Sequence, residues 1–128
     1  MTALNFQARF AASVADGTKR QTIRAERKDG RMPCRTGHDL HLYTGMRTQS
    51  CRRLRTAICT SIWRFEISRN PKFSPGIRLG GVVLNREETI ALAQADGFTS
   101  VTEMVEWFRN THGLPFSGWL IKWDEVTS

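Results

Sequence analysis

Lys19, Thr22 and Arg24 set an ammonium, a hydroxyl and a guanidinium close together in the stretch Gly17-Thr18-Lys19-Arg20-Gln21-Thr22-Ile23-Arg24. A threonine hydroxyl is a weak nucleophile until a neighbouring base takes its proton, and a lysine whose pKa is lowered can be that base. Arg20 and Arg24 flank Lys19 and would lower its pKa by like-charge repulsion. An acid across the pocket could orient the base or protonate a leaving amine. The same residue types also suit a plain grip on a nucleotide phosphate or base without turnover. They would equally make an ordinary solvated surface.

The elements around them decide whether they converge. Phe6 to Asp16 is amphipathic, with Phe10 and Val14 one helical turn apart, which predicts a short helix. Gly17 then stands where a helix ends in a left-handed residue, a conformation that costs glycine little. Thr22-Ile23-Arg24 reads as a strand, with Ile23 toward a core and Thr22 and Arg24 on the opposite face. Lys19 lies just upstream, in the turn.

Phe6-Gln7-Ala8-Arg9-Phe10, a helix, and then G-x-K-x-x-T-I-R resemble the opening of the ASCH (activating-signal-cointegrator homology) domains. The resemblance continues through Thr36-Gly37-His38-Asp39-Leu40 and Tyr43-Thr44-Gly45-Met46-Arg47-Thr48. It reaches Ala95-Asp96-Gly97-Phe98 and Phe116-Ser117-Gly118-Trp119 late in the chain. It implies an α+β fold, a small PUA-like β-barrel with flanking helices, over residues 1–128 as one domain. It also implies association with RNA or a modified nucleoside, with no cofactor. One branch of the family hydrolyses the acetyl amide of N4-acetylcytidine with a lysine, a threonine and a distant glutamate. Gly17, Lys19, Thr22 and Arg24 match that motif, and the glutamate's place falls on Asp96, one methylene shorter. The implied roles are Lys19 as base, Thr22 as nucleophile and Asp96 as acid. Other members are associated with ribonuclease activity, for which His38, His41 and His112 supply candidate acids and bases. A domain that only mediates interactions is a further alternative.

The charge favours a polyanionic partner. The chain of 128 residues carries a net charge of +7. Between Lys19 and Arg55 there are eleven Lys or Arg against three acids, Glu26, Asp29 and Asp39, so that third of the chain holds all of the excess. Its densest part is Thr44 to Arg55, where Arg47, Arg52, Arg53 and Arg55 alternate with hydroxyl and amide residues suited to phosphate contact. With Arg20 and Arg24 these are the candidate nucleic-acid-binding residues. Tyr43 is the one aromatic nearby, so the patch is not a stacking platform of interleaved rings. The alternative is a generally basic surface.

Composition bounds the rest. Cys34, Cys51 and Cys59 are odd in number and form no C-x-x-C pair, which excludes a complete disulfide framework and fits a reducing compartment. A metal site from these cysteines with His38 and His41 is disfavoured, because His38-x-x-His41 would turn the rings to opposite faces of a strand. No apolar run approaches the roughly 18 residues of a membrane span. The N-terminus lacks the basic flank and apolar block of a secretory signal, so the expected location is cytoplasmic.

The remaining elements follow in order. Residues 25–37 read as a loop, and Asp39 to Tyr43 as a strand with Leu40 and Leu42 inward. Ala57 to Ser68 is a strand with Phe65 and Ile67 inward and Trp63 in the same phase. Asn70-Pro71 and Ser74-Pro75-Gly76 mark turns, and Ile77 to Leu84 a short strand bent at Gly80-Gly81. Asn85 caps a helix that ends at Asp96-Gly97, and Ser100 caps a second with a capping-box spacing to Glu103. Val101, Met104, Val105 and Phe108 form its core stripe. Trp119 to Trp123 is a final strand that would close the sheet, with Trp119, Ile121 and Trp123 on one face.

Overall fold

A computed structural model describes residues 2–71 and 76–125. Ser74 and Pro75 of the expected turn lie outside the described residues. The elements run β1 (Thr2–Phe6), α1 (Ala8–Asp16), β2 (Gln21–Ala25), β3 (Asp39–Thr44), β4 (Arg52–Ile67), β5 (Ile77–Leu79), β6 (Val82–Val83), α2 (Arg86–Ala95), α3 (Val101–Thr111) and β7 (Phe116–Glu125). This is a mixed α+β architecture with a seven-stranded sheet. No helix among the described residues is long and apolar enough to cross a membrane.

The first strand is an addition to the sequence reading, which places nothing before the helix. Thr2–Phe6 pairs in parallel with β3, with Leu4 opposite Leu42 and Phe6 opposite Thr44. Its residues alternate in burial as a half-buried strand does, but only a pairing partner more than thirty residues away makes it one.

Long β4 organises the sheet. Its first half pairs with β3, its last residues with β5, and Ala57 to Ile67 with β7, which also takes β2 on its other edge. A bulge between Cys59 and Ser61 inserts one residue against Trp123 and Lys122. Such an extra residue shifts the inward set from one face to the other. Ala57 and Cys59 are accordingly buried on the Trp123 side, whereas Phe65 and Ile67 are buried on the opposite side, against Phe108 and Phe116. Both faces of β7 are covered as a result, and adjacent Leu120 and Ile121 are each fully buried. Trp63 keeps the phase of Phe65 but remains 49 % exposed. A Cβ on Gly80 would lie 3.2 Å from its ring, so the β5–β6 turn is its neighbour rather than the core.

The expected barrel does not close by strand pairing. Strand order is β1-β3-β4-β5-β6, with β2-β7 branching from β4, and β1 and β2 remain edges. Those two edges, with α1 between them in sequence, frame the candidate site.

The helices form where their caps and stripes predict. Gly17 ends α1 with φ 86°, its N–H donating to the Val14 carbonyl. Asn85 and Glu88 make a reciprocal capping box on α2. Ser100 accepts the Glu103 N–H, but the Glu103 carboxylate instead takes Thr99 Oγ1 at 2.7 Å and Arg9 at 2.9 Å. That bridge ties α3 to α1. Met104, Val105 and Phe108 are buried as the stripe predicts.

Candidate functional site

The turn after α1 carries Lys19 inward. Its backbone N–H donates to the Ser13 carbonyl at 2.9 Å, folding the chain back on the helix end. The side chain, only 3 % exposed, runs beneath the Phe10 ring with Nζ 4.8 Å from its centroid. There Nζ donates to the Asp96 carbonyl and lies 3.4 Å from Asp96 Oδ1. Asp96 is the residue after α2, itself 6 % exposed, and Gly97 follows with φ 101°. A Cβ on Gly97 would fall 2.8 Å from the Phe10 ring. The Asp-Gly pair is therefore both a helix stop and the condition for bringing Asp96 to Lys19.

The carboxylate has a second partner that sequence reasoning passed over. Gln21 is buried, and its Nε2 reaches the Leu92 carbonyl at 3.3 Å and Asp96 Oδ1 at 3.4 Å. Its signal was its position, two residues after Lys19 in the same inward-turning segment. Nothing in its type distinguished it from an exposed glutamine.

Burial dominates the electrostatics here. It pulls the Lys19 ammonium below its ordinary pKa, against the attraction of Asp96, with Arg24 and then Arg9 adding like-charge repulsion. The flanking arginines are thus secondary, and Arg20 is not among the causes. Burial likewise pushes the Asp96 carboxyl up, against Lys19, Gln21 and Arg24. Burial thus acts against the charged form of each, and their mutual attraction acts for it.

These groups border a cavity of about 230 Å³ between the two open strand edges. Asn5, Phe6 and Gln7 bound it on the β1 side, and Thr22, Ile23, Arg24 and Ala25 on the β2 side. The helical side supplies Phe98, Trp107 and His112 around Asp96. Arg24 crosses the gap. Its guanidinium lies over the Phe6 ring at 4.9 Å and Nη2 donates to the Asn5 carbonyl at 2.7 Å. Its Nε is buried with no hydrogen-bond partner among the described residues. Gly118 makes the Arg24 position possible, since a Cβ there would come 2.2 Å from the Arg24 carbonyl oxygen.

Lys19, Thr22, Arg24 and Asp96 therefore share one cavity, as the motif and the resemblance imply. Among the described residues, Thr22 Oγ1 makes no hydrogen bond to Lys19, whose Nζ is turned to Asp96.

The six candidate arginines do not form one surface. Arg20 donates to the Gly17 carbonyl and faces Asp124 at 3.5 Å, beside a separate depression. Arg55 is half-buried and near enough to Asp16 to help hold that carboxyl down, after the hydrogen bonds from Thr18. Arg47, Arg52 and Arg53 are exposed at the β3–β4 connection. Of the three histidines only His112 borders the cavity, and its ring is packed against Trp107, Phe108 and Phe116. No group of three metal-ligating side chains occurs among the described residues. Cys34 and Cys59 are buried with their sulfurs 3.9 Å apart, and burial pushes the Cys34 thiol up to about 12.

The chain matches no family model, no curated protein and no solved structure.

Proposed function

We propose that the cavity binds a single base, that of a modified nucleoside or of a nucleotide in RNA, in an ASCH-like domain. The observation that carries this is the convergence of Lys19, Thr22, Arg24 and Asp96 on one aromatic-walled cavity. Drug-sized ligands occupy roughly 300–1,000 Å³. A cavity of about 230 Å³ suits one heterocycle, with sugar and phosphate left outside. Phe98 and Trp107 offer apolar faces, and Asp96, Thr22 and the unpartnered Arg24 Nε offer the polar groups that would read a base edge. On this reading the gap between β1 and β2 is the seam at which a PUA-like barrel opens to its ligand, and the protein works in the cytoplasm.

A second reading is amide hydrolysis of N4-acetylcytidine, favoured by the lowered pKa of Lys19. Lys19 would leave Asp96, take the Thr22 proton, and let Oγ1 attack the acetyl carbonyl carbon. The protonated Asp96 would donate to N4 as the C–N bond breaks, releasing cytidine. Lys19 would hand the Thr22 proton to the Asp96 carboxylate and, neutral again, take one from a water that attacks the threonyl ester. It would return that proton to Thr22 Oγ1 as acetic acid leaves and ionises to acetate. This route needs the Lys19 side chain to move from Asp96 to Thr22, which makes binding the primary reading. A ribonuclease reading draws no support, because His112 stands alone at the cavity.

Titrating the protein with N4-acetylcytidine while assaying free acetate separates the readings. Binding without acetate is expected, weakened at least tenfold by Lys19→Ala or Thr22→Ala. Acetate release that each change abolishes to the same degree, with Asp96→Glu preserved, would install the hydrolase instead. Neither binding nor release with cytidine or its acetylated form would reject both.

A further inference from the structure

The basic hairpin and the cavity are joined by the strand register. Asn5 lies opposite Tyr43 in β3, and Tyr43 lies opposite Arg53 in β4. Residues in such a row share a face, so Asn5, Tyr43 and Arg53 form one line across the outer side of the sheet. With strands about 4.8 Å apart, Arg53 sits roughly 10 Å from the Asn5 rim of the cavity. The hairpin end is fastened to that rim as well. Met46 N–H donates to Asn5 Oδ1 at 3.0 Å, and Thr44 Oγ1 donates to the Phe6 carbonyl at 2.9 Å.

The charge along this line is uncompensated. From Leu40 to Phe65 the sequence has no Asp or Glu. Arg47 and Arg53 are exposed and pair with no acid among the described residues, whereas Arg9, Arg20, Arg27, Arg64 and Arg109 all do. Arg52 is exposed too, but opposite Thr44 it belongs to the Phe6 row on the other face. Arg47 also adopts φ 67°, an uncommon conformation for a residue other than glycine, at the apex of the connection. Tyr43, half-buried between Asn5 and Arg53, is an aromatic face midway along the line.

We infer that this line is a track for single-stranded nucleic acid, whose phosphates are neutralised by Arg47 and Arg53 while one base turns into the cavity. The inference rests on the base-binding reading of the cavity and narrows its ligand from a free nucleoside to a nucleotide within a chain. Single strands are required because a base must be unstacked to enter, which a duplex resists. The ring of Tyr43 stacks the neighbouring base, and the Asn5 carbonyl, already holding Arg24, marks where the chain passes from track to cavity.

Binding of a short oligocytidylate RNA, with free cytidine as the comparison, tests this over a range of salt. The oligonucleotide should bind at least about tenfold more tightly at low salt, with a log-log salt slope of about −1.4 for two phosphates on a single strand. Arg47→Ala and Arg53→Ala together should remove most of that slope and lower the ratio of oligonucleotide to nucleoside affinity. Tyr43→Ala should cost about tenfold of oligonucleotide affinity at every salt concentration. Cytidine binding with no oligonucleotide advantage, or an unchanged slope in the double variant, overturns the track and leaves the cavity reading standing. A duplex that binds as tightly as the single strand overturns it too. Oligonucleotide binding that depends on the arginines but is not competed by nucleoside overturns the entry of a base into the cavity, and the base-binding reading with it.

Discussion

The cavity wall and the β3–β4 hairpin both concentrate positive charge, but they hold it in opposite states. Lys19 is buried against Asp96 and Phe10, and burial lowers the lysine pKa and raises that of the aspartate. Arg47, Arg52 and Arg53 stand in solvent, where water and salt screen them. A buried polar group must be satisfied by partners fixed in place, so each neighbour of Lys19 matters to the fold. An exposed guanidinium costs the fold almost nothing and is free for a ligand. The first region therefore couples function to stability, and the second separates them.

That contrast is broken most directly at Asp96. Asp96→Ala leaves Lys19 buried without its carboxylate and should destabilise the protein by about 3–5 kcal/mol, measured by urea unfolding. A loss below about 1 kcal/mol would mean that the pair is not a buried unit, and the contrast would fail.

A smaller effect should appear with pH. The unfolded chain holds the Lys19 proton up to its ordinary pKa of 10.5, whereas the folded protein releases it lower. Between those values the unfolded state binds more protons, so stability rises with pH. The parent should gain on Lys19→Met as pH is raised from neutral toward 10.5. A flat difference would show that burial does not penalise the ammonium.

The smallest effect sharpens the comparison from the other side. Arg47→Ala, Arg52→Ala and Arg53→Ala should each change stability by less than about 0.5 kcal/mol in thermal unfolding. A larger loss at any of them would reveal a structural role and tie the hairpin to the fold.

Much of the local structure was legible. Asn85 and Ser100 cap their helices because short polar side chains satisfy exposed amides, and Gly17 ends α1 because φ 86° suits glycine. The Met104–Phe108 stripe and the Leu40–Leu42 alternation each follow from a single period. Trp63 escaped the same logic. Its phase is right, but phase says which face a residue takes and not whether a helix covers that part of the face. Thr2–Phe6 escaped because a strand without its partner has little signal of its own.

The sequence by itself determined the segments, their caps and the presence of Lys19, Thr22, Arg24 and Asp96 in a recognisable order, because those features rest on neighbours a few residues apart. Tertiary structure decided what those residues meet. The contact between Lys19 and Asp96 spans seventy-seven positions and depends on Gly97 leaving room for Phe10. Which of the arginines stand free and which lie beside Asp16 or Asp124 depends on strand register and on the bulge in β4. Register is set by the sum of many pairings across the sheet, and no single stretch of the chain contains that sum.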